Sequence, residues 1–365
     1  MAADITDFVT GIGSKKTIIG ISFEQLMLIL YPVFLIPVVL LWYSDLRKRK
    51  SPPPGLVKLC LAGDSHAADE YDEKYDEGTK DEKAWKVKAL YMHPIKSCAA
   101  IELDVADIDA EGLTYDRKFC FAEMMTPTKP GSDGKKTPKW TFRTLRQEGY
   151  EKLAQVKPEV WLPKSVSQQN EIGLRQIDLE GCLIVKYPNV PTGVLAPLER
   201  LAQRWRLVPA ESSFRMPLNP GKDHTYPREV MNIWKDDPVW INMGRHVPDD
   251  FKQWLGIKRP FSLFRVDPEK YREVFRCAPR QEDIGFQPAV GAQDAYPVHL
   301  LNLASVHDVG KRVGKDVIDG LSVRRFRGNI ILEGPPAYDE DDWKMCRVGE
   351  HELYCACHTV RCRVS

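Results

Sequence analysis

The chain has 365 residues, enough for two domains or one large one, and is 43% apolar and 28% charged, in the range of chains that build a core. Its 52 basic and 51 acidic residues leave a net charge of +1, and no basic patch is interleaved with aromatics, which excludes a general pull toward nucleic acid. Nine cysteines, odd in number and irregularly spaced, exclude a secreted disulfide framework and point to free thiols in a reducing compartment.

The first segment with a physical signature is LMLILYPVFLIPVVLLWY, residues 26–43, which carries no charged residue. About 20 apolar residues of helix cross a bilayer core. Pro32 and Pro37 are better tolerated in such a helix than in a soluble one. Trp42 and Tyr43 stand where an interfacial aromatic belt belongs, and RKRK follows at 47–50. The expectation is a membrane anchor over 1–50, its span near 23–43, with the body on the cytosolic side. A cleaved signal peptide would carry its basic residues before the apolar run, not after it.

Residues 51–84 contain SPPPG and then DSHAADEYDEKYDEGTKDEK, which reads as a flexible acidic linker. Ordered structure is expected from Trp85, where WKVKALYMHPI places Trp85, Val87, Ala89 and Tyr91 on one face of a strand. AIELDVADID and KFCFAEM alternate likewise, while CLIVKY and NIILEG are short apolar runs suited to buried strands. Helices are fewer. APLERLAQRWR starts one at Ala196. VPDDFKQWLG carries Pro248 and two aspartates in a first turn. NLASVHDVGKRVG repeats Leu303, Val306, Val309 and Val313 at helical spacing. VGEHELYCACHTV reads as a hairpin turning near Gly349 and Glu350. Long alternation of strand and helix is absent, so the class is mostly β with α/β elements rather than a doubly wound sheet.

Five stretches carry possible chemistry. Lys96 and Ser97 close a strand in MHPIKSC, and Arg117 opens another in YDRKF; a lysine, a hydroxyl and an arginine at strand ends suit an anion, and they also suit solvated strand ends. Thr144 precedes an apparent helix as an N-cap, with no forced role for Arg146. Asp294 and Tyr296 precede the strand that leads to the 302–314 helix, near whose start Ser305 can cap; His299 on that apolar run reads as a core histidine. Arg327, Gly328 and Asn329 precede a buried strand. In the terminal CACHTVRCRVS, Cys355, Cys357, His358 and Cys362 lack usual zinc spacing, but Arg361 and Arg363 flank Cys362 and favour its thiolate, a soft-metal ligand.

Taken in order, these stretches resemble one family. LYMHPIKSCAAIELDVADIDAEGLTYDRKF and TLRQ resemble the N-terminal β-barrel domain of MOSC proteins, and DAYPVHLLNLAS, FRGNIIL, DEDDWKMCRVG and TVRC resemble the MOSC domain itself. With an apolar N-terminal segment, the chain is similar to the amidoxime-reducing branch and its fungal-type members. The resemblance implies two β-barrel domains, at 85–234 and 235–365, behind one transmembrane helix. It also implies a molybdenum cofactor (a Mo-molybdopterin) held by Lys96, Ser97, Arg117, Asp294, Arg327, Asn329 and Arg361. Cys362 would be the catalytic cysteine and molybdenum ligand.

The implied activity is reduction of small N-hydroxylated substrates with electrons from a b5-type cytochrome and its NADH-dependent reductase. The implied place is the mitochondrial outer membrane with the body in the cytosol, an endoplasmic reticulum anchor having similar composition. The family's Phe-Arg-Pro-Asn is Phe326-Arg327-Gly328-Asn329 here, and family members continue past the Arg-Cys where this chain reads as short. A persulfide sulfur-carrier MOSC protein and a non-catalytic remnant stay open as alternatives. A pyridoxal phosphate association of the family finds no aminotransferase-like region in this chain.

Overall fold

The computed structural model describes residues 27–39 except 29 and 38, 52–127, 136–163, 181–191, 193–194, 196–220, 225–313 and 320–359. The chain divides into two compact units, residues 1–54 and 55–365. In the first, the described helical residues fall between positions 27 and 39. Among the described residues no helix is long and apolar enough to cross a membrane. The expected transmembrane anchor at 23–43, and the outer-membrane placement that rested on it, are therefore not retained.

The larger unit is built of mostly antiparallel sheets, with two parallel pairings, Met231–Asn232 beside Trp140–Thr141 and Leu300–Asn302 beside Ile330–Leu332. One four-stranded sheet runs β1 (Leu56–Leu59), β8 (Lys157–Pro163), β9 (Cys182–Pro188), β10 (Glu211–Pro217). A five-stranded closed barrel runs β11 (Arg228–Asn232), β12 (Val239–Asn242), β13 (Phe261–Arg265), β6 (Phe119–Met125), β7 (Lys139–Phe142). A second four-stranded sheet runs β16 (Leu300–Asn302), β17 (Ile330–Glu333), β2 (Lys86–Met92), β3 (Ile101–Leu103). Three two-stranded ribbons complete it: β4 (Ile108–Asp109) with β5 (Gly112–Leu113), β14 (Arg272–Glu273) with β15 (Ala289–Val290), and β18 (Met345–Val348) with β19 (His351–Tyr354). The α-helices among its described residues are α1 (Ala196–Arg204), α2 (Asp249–Leu255), α3 (Gln281–Ile284) and α4 (Leu303–Val313).

Strand β6 shows why the fold holds together. Successive side chains of a strand point to opposite faces. Phe119 and Phe121 enter a core with Leu183, Met216, Phe251 and Leu263, while Cys120 and Ala122 enter another with Met231, Trp240 and Phe264. Both faces of β6 are thus buried, which continuous apolar character permits and surface alternation would not.

The expected division at 234/235 is not a break in the structure. The barrel mixes β6 and β7 with β12 and β13, and the second four-stranded sheet pairs β17 with β2. The expected flexible linker is also corrected, because residues 56–84 pack as a strap. Leu56–Leu59 pairs with β8. Ala67 and Tyr75 lie in a core with Tyr91, Leu303, Val306, Val323 and Ile331. His307 faces Asp76 Oδ1 at 2.7 Å and the Glu70 carbonyl at 2.6 Å. Two glycines let the strap lie this close: a Cβ on Gly78 would meet the Pro335 carbonyl at 2.2 Å, and one on Gly320 would meet the Tyr71 ring at 2.8 Å. Acidic composition hides this packing, since two apolar side chains suffice to seat the strap.

Candidate cofactor site

The pairing of β17 with β2 sets the site. Tyr91 N donates to the Asn329 carbonyl at 2.8 Å, and Asn329 N donates to the His299 carbonyl at 2.7 Å. The ends of β2, β16 and β17 therefore meet at one point. The segments that leave them hold Lys96 and Ser97, Asp294 to His299, and Arg327.

A cavity of about 470 Å³ opens there. Its described lining includes Lys96, Ser97 and Arg117 from the N-terminal half and Asp294 and Arg327 from the C-terminal half, five of the expected binding residues. Arg146, Arg276 and Arg325 line it too, so six cationic side chains share the wall with one carboxylate, Asp294. Asp294 is tied on both sides, to Lys96 Nζ and to Arg146 Nη2 at 2.8 Å. Burial pushes its carboxyl up, but Lys96, Arg146 and Arg117 together hold it below the ordinary carboxylate range. Burial depresses the Lys96 amine, which also donates to the Ala292 carbonyl at 2.7 Å. Arg146, to which the sequence assigned no role, thus braces the only described acid of the pocket wall.

Three of the expected residues share an unusual backbone. Ser97, Arg117 and Arg327 have φ of 70°, 48° and 56°, and the pocket residue Cys277 has 57°. Non-glycine residues in this left-handed region cost of order 1–3 kcal/mol each and cluster at functional sites. Here the conformation is over-determined. Arg117 Nη1 donates to Asp116 and to Asn329 Oδ1, and its Nη2 to the Arg327 carbonyl at 3.0 Å. Arg327 Nη1 donates in turn to the Cys98 carbonyl at 2.7 Å.

Two expected residues take other parts. Asn329 is fully buried and does not line the cavity; its amide is spent on Arg117, His299 N, the Tyr91 carbonyl and Asp116 Oδ1. Ser305 does not cap α4. Asn302 does so, accepting from Ala304 N at 3.2 Å, while Ser305 Oγ donates to Glu340 and accepts from Tyr338 N. Arg361 and Cys362 lie outside the described residues.

Sequence reasoning missed Asp116. This buried carboxylate accepts from His93 N at 2.7 Å, from Asn329 and from Arg117, and so joins the strand ends. It also passed over His93, whose ring is buried beside the Gly328 backbone. Burial, with Arg327 and Arg117 nearby, holds that imidazole well below the usual histidine range.

The matches to known proteins follow the same geography. Residues 84–160 match the MOSC N-terminal beta barrel domain, and residues 287–365 match the MOSC domain. The chain carries both MOSC domains. Among MOSC relatives, the mitochondrial amidoxime-reducing component 1 of Danio rerio is 28% identical over 149 residues, 40% of this chain and 42% of the relative. The mitochondrial amidoxime reducing component 2 of Bos taurus is 22% identical over 274 residues, 73% of this chain and 62% of the relative. The molybdenum cofactor sulfurase of Homo sapiens is 21% identical over 290 residues, 76% of this chain and 26% of the relative. The stretches matched span less than two thirds of each of these relatives.

The residues present fit the phosphate-bearing pterin that the resemblance implies. A dianionic phosphate needs clustered cationic donors on a fixed frame, and the described wall supplies six around one acid. Pyridoxal phosphate gains no such support, because the pocket lysine, Lys96, is tied to Asp294 and Ala292.

Proposed function

We propose that this MOSC protein is a molybdenum-cofactor oxidoreductase that reduces N-hydroxylated compounds. The observation that carries the reading is the convergence of Ser97, Arg117 and Arg327, all in left-handed backbone, on a cavity rich in cations. Lys96, Ser97, Arg117 and Arg327 would hold the pterin phosphate, with Arg146 and Asp294 shaping the wall. Arg361 would add to them and Cys362 would ligate the metal, on the strength of the family resemblance. When bound, the cofactor supplies two-electron redox chemistry. Reduction of an N-hydroxylated nitrogen breaks the N–O bond, takes up two electrons and two protons, and releases water. The electrons would come from a b5-type cytochrome and its NADH-dependent reductase.

What the chain contributes is placement. The cationic frame fixes the anionic end of the cofactor, and because Arg117 and Arg327 are bonded to one another across the two halves, it does so without reorganising.

The test is metal and pterin analysis of protein purified with a cofactor supply, followed by turnover of an N-hydroxylated amidine with a reduced viologen dye. Stoichiometric molybdenum with turnover, and loss of a sulfur neighbour at the molybdenum X-ray edge in Cys362→Ser but not in Cys355→Ser, is the expected result. Protein that stays free of molybdenum under these conditions sinks the reading.

A second reading has one observation in its favour. Cys277 and Cys357 are exposed thiols on the cavity wall, and both reach the Tyr296 hydroxyl. A persulfide carried on either would make the chain a sulfur carrier, and persulfide labelling of the purified protein distinguishes this from the reductase.

A further inference from the structure

The β18–β19 ribbon carries two thiols for which the cofactor frame has no use. Its register sets Cys346 opposite Leu353 and Met345 opposite Tyr354, and Cys355 N donates to the Lys344 carbonyl at 2.9 Å, one step further along. Residues opposite one another in a ribbon share a face, and so do residues two apart on one strand. Cys346 and Cys355 are therefore diagonal neighbours on one face, where their thiols bond to each other. Both thiols are free and half-buried, and both line a second cavity of about 500 Å³ beside the cationic one. From Cys355 the chain runs into Cys357, His358 and Thr359, which line both cavities. The pair thus stands at the root of a wall that the two cavities share, in the segment that leads on to Cys362.

We propose that Cys346 and Cys355 are a site of reversible oxidation, closed to a disulfide by peroxide and reopened by a small thiol. In the closing step both S–H bonds and the peroxide O–O bond break, and one S–S bond forms. Each sulfur gives up one electron, and hydrogen peroxide takes up the two electrons and the two thiol protons to leave as two waters. Glutathione reverses the step by thiol–disulfide exchange, two of its thiols ending as its own disulfide. A disulfide needs its Cα atoms within about 7 Å, and diagonal neighbours stand at about 7–8 Å. Closing therefore draws Cys355 toward Cys346. Cys355 lies one residue past the end of β19, where such an approach leaves the ladder intact. The shared wall that begins there is stiffened with it. Burial pushes the Cys346 thiol up to about 12 and the Cys355 thiol upward, and the thiolate is the attacking form. The pair thus resists brief oxidation at neutral pH and closes under sustained oxidant.

The test uses the full chain, reduced, then exposed to hydrogen peroxide at pH 7, 8 and 9, alkylated, and digested with trypsin without a reductant. Cleavage after Lys344, Arg347 and Arg361 puts Cys346 in the peptide 345–347 and Cys355 with Cys357 in 348–361, so a linked pair of these peptides reports the bond. The linked pair should accumulate about tenfold faster per pH unit, as the thiolate fraction grows, and should vanish after glutathione. It should persist in Cys357→Ser and be absent from Cys355→Ser. Amide hydrogen exchange over 356–359 should slow roughly fivefold when Cys357→Ser protein is oxidised. Cys346 that is still alkylated after the exposed thiols have reacted overturns the proposal. So does a link that survives in Cys355→Ser, which would place the bond at Cys357. Thermal melting of both variants excludes misfolding, and fragmentation of the linked peptides from wild type locates the bond even where a variant does not fold. An exchange rate unchanged by the bond overturns its coupling to the shared wall.

Discussion

The guanidinium of Arg117 is bonded to the side-chain oxygen of Asn329 at 3.1 Å, across 212 positions of sequence. That contact joins the two halves that resemble separate domains. It also changes what each residue is for: Arg117 is as much a structural tie as an anion ligand, and Asn329 is wholly a tie.

Asn329→Ala should therefore unfold the site rather than merely empty it. The change leaves His299 N, the Tyr91 carbonyl and Asp116 without one buried partner each. Each unsatisfied buried group costs about 1–3 kcal/mol. A loss of about 4 kcal/mol in chemical denaturation is expected, with loss of any bound pterin following from it. A variant as stable as wild type would show that the amide is dispensable.

Arg146→Ala should behave in the opposite way. Arg146 is partly exposed and holds Asp294 from the solvent side. Surface substitutions cost within about 0.5 kcal/mol, so the melting curve should hardly move. The cavity wall loses one cation, and Asp294 turns more of its charge toward the ligand. Molybdenum and pterin content after expression with a cofactor supply should fall, and pterin affinity should weaken roughly tenfold, the low end for one charge-assisted bond at a solvated edge. Undiminished occupancy in Arg146→Ala would return this residue to the role of a surface brace.

The legibility of this chain in its sequence is uneven for physical reasons. Helix α2 could be read because its boundary signals are local: Pro248 stands at the N-cap, Asp249 and Asp250 fill the first turn, and Gly256 ends it at φ 82°. The terminal hairpin could be read because Gly349, at φ 60°, makes a turn that few other residues make. Lys96, Ser97 and Arg117 suit an anion or solvated strand ends alike by residue type, and only the family resemblance favoured the anion. Their convergence with Arg327 depends on β2–β17 pairing, which no local pattern announces. The left-handed backbone at Ser97 and Arg117 was hidden for the same reason, since neither residue type advertises positive φ. The strap failed differently. Composition counts charges, but it does not register that Glu70 is buried and bonded.

His93 predicts a pH dependence. Its imidazole is buried, and Arg117, Arg327, the Gly328 backbone and His299 face it. The folded pKa is depressed, so the unfolded chain binds the proton more readily. The neutral form's contribution to stability is complete above the unfolded value near 6.5 and is lost progressively as pH falls below it. The slope should reach up to about 1.4 kcal/mol per pH unit for one proton. His93→Gln, neutral throughout, should flatten that slope when denaturation is followed between pH 7 and 5. His299→Gln serves as the control for the neighbouring ring. Superimposable pH profiles for wild type and His93→Gln would assign the acid sensitivity elsewhere.

Glu70 predicts that the acidic strap acts on the site from a distance. Its two carboxylate oxygens accept from Ser322 Oγ at 2.8 Å and from Val323 N at 2.9 Å. Val323 begins the short 3-10 turn Val323–Phe326, whose far end places Arg327 at φ 56°, with Arg327 N donating to the Arg324 carbonyl at 3.2 Å. Removing the carboxylate frees the start of that turn, and a left-handed residue held only by its surroundings relaxes when they loosen. Glu70→Ala should cost about 2–3 kcal/mol, and Glu70→Gln about half of that, because the amide keeps one accepting oxygen. Hydrogen exchange should quicken through Val323–Arg327 in both variants, in that order. Pterin affinity should fall with it although Glu70 does not line the cavity. If exchange across Val323–Arg327 is unchanged in Glu70→Ala, the strap is a passive covering and Arg327 is held independently of it, as through its bonds to Cys98 and Arg117.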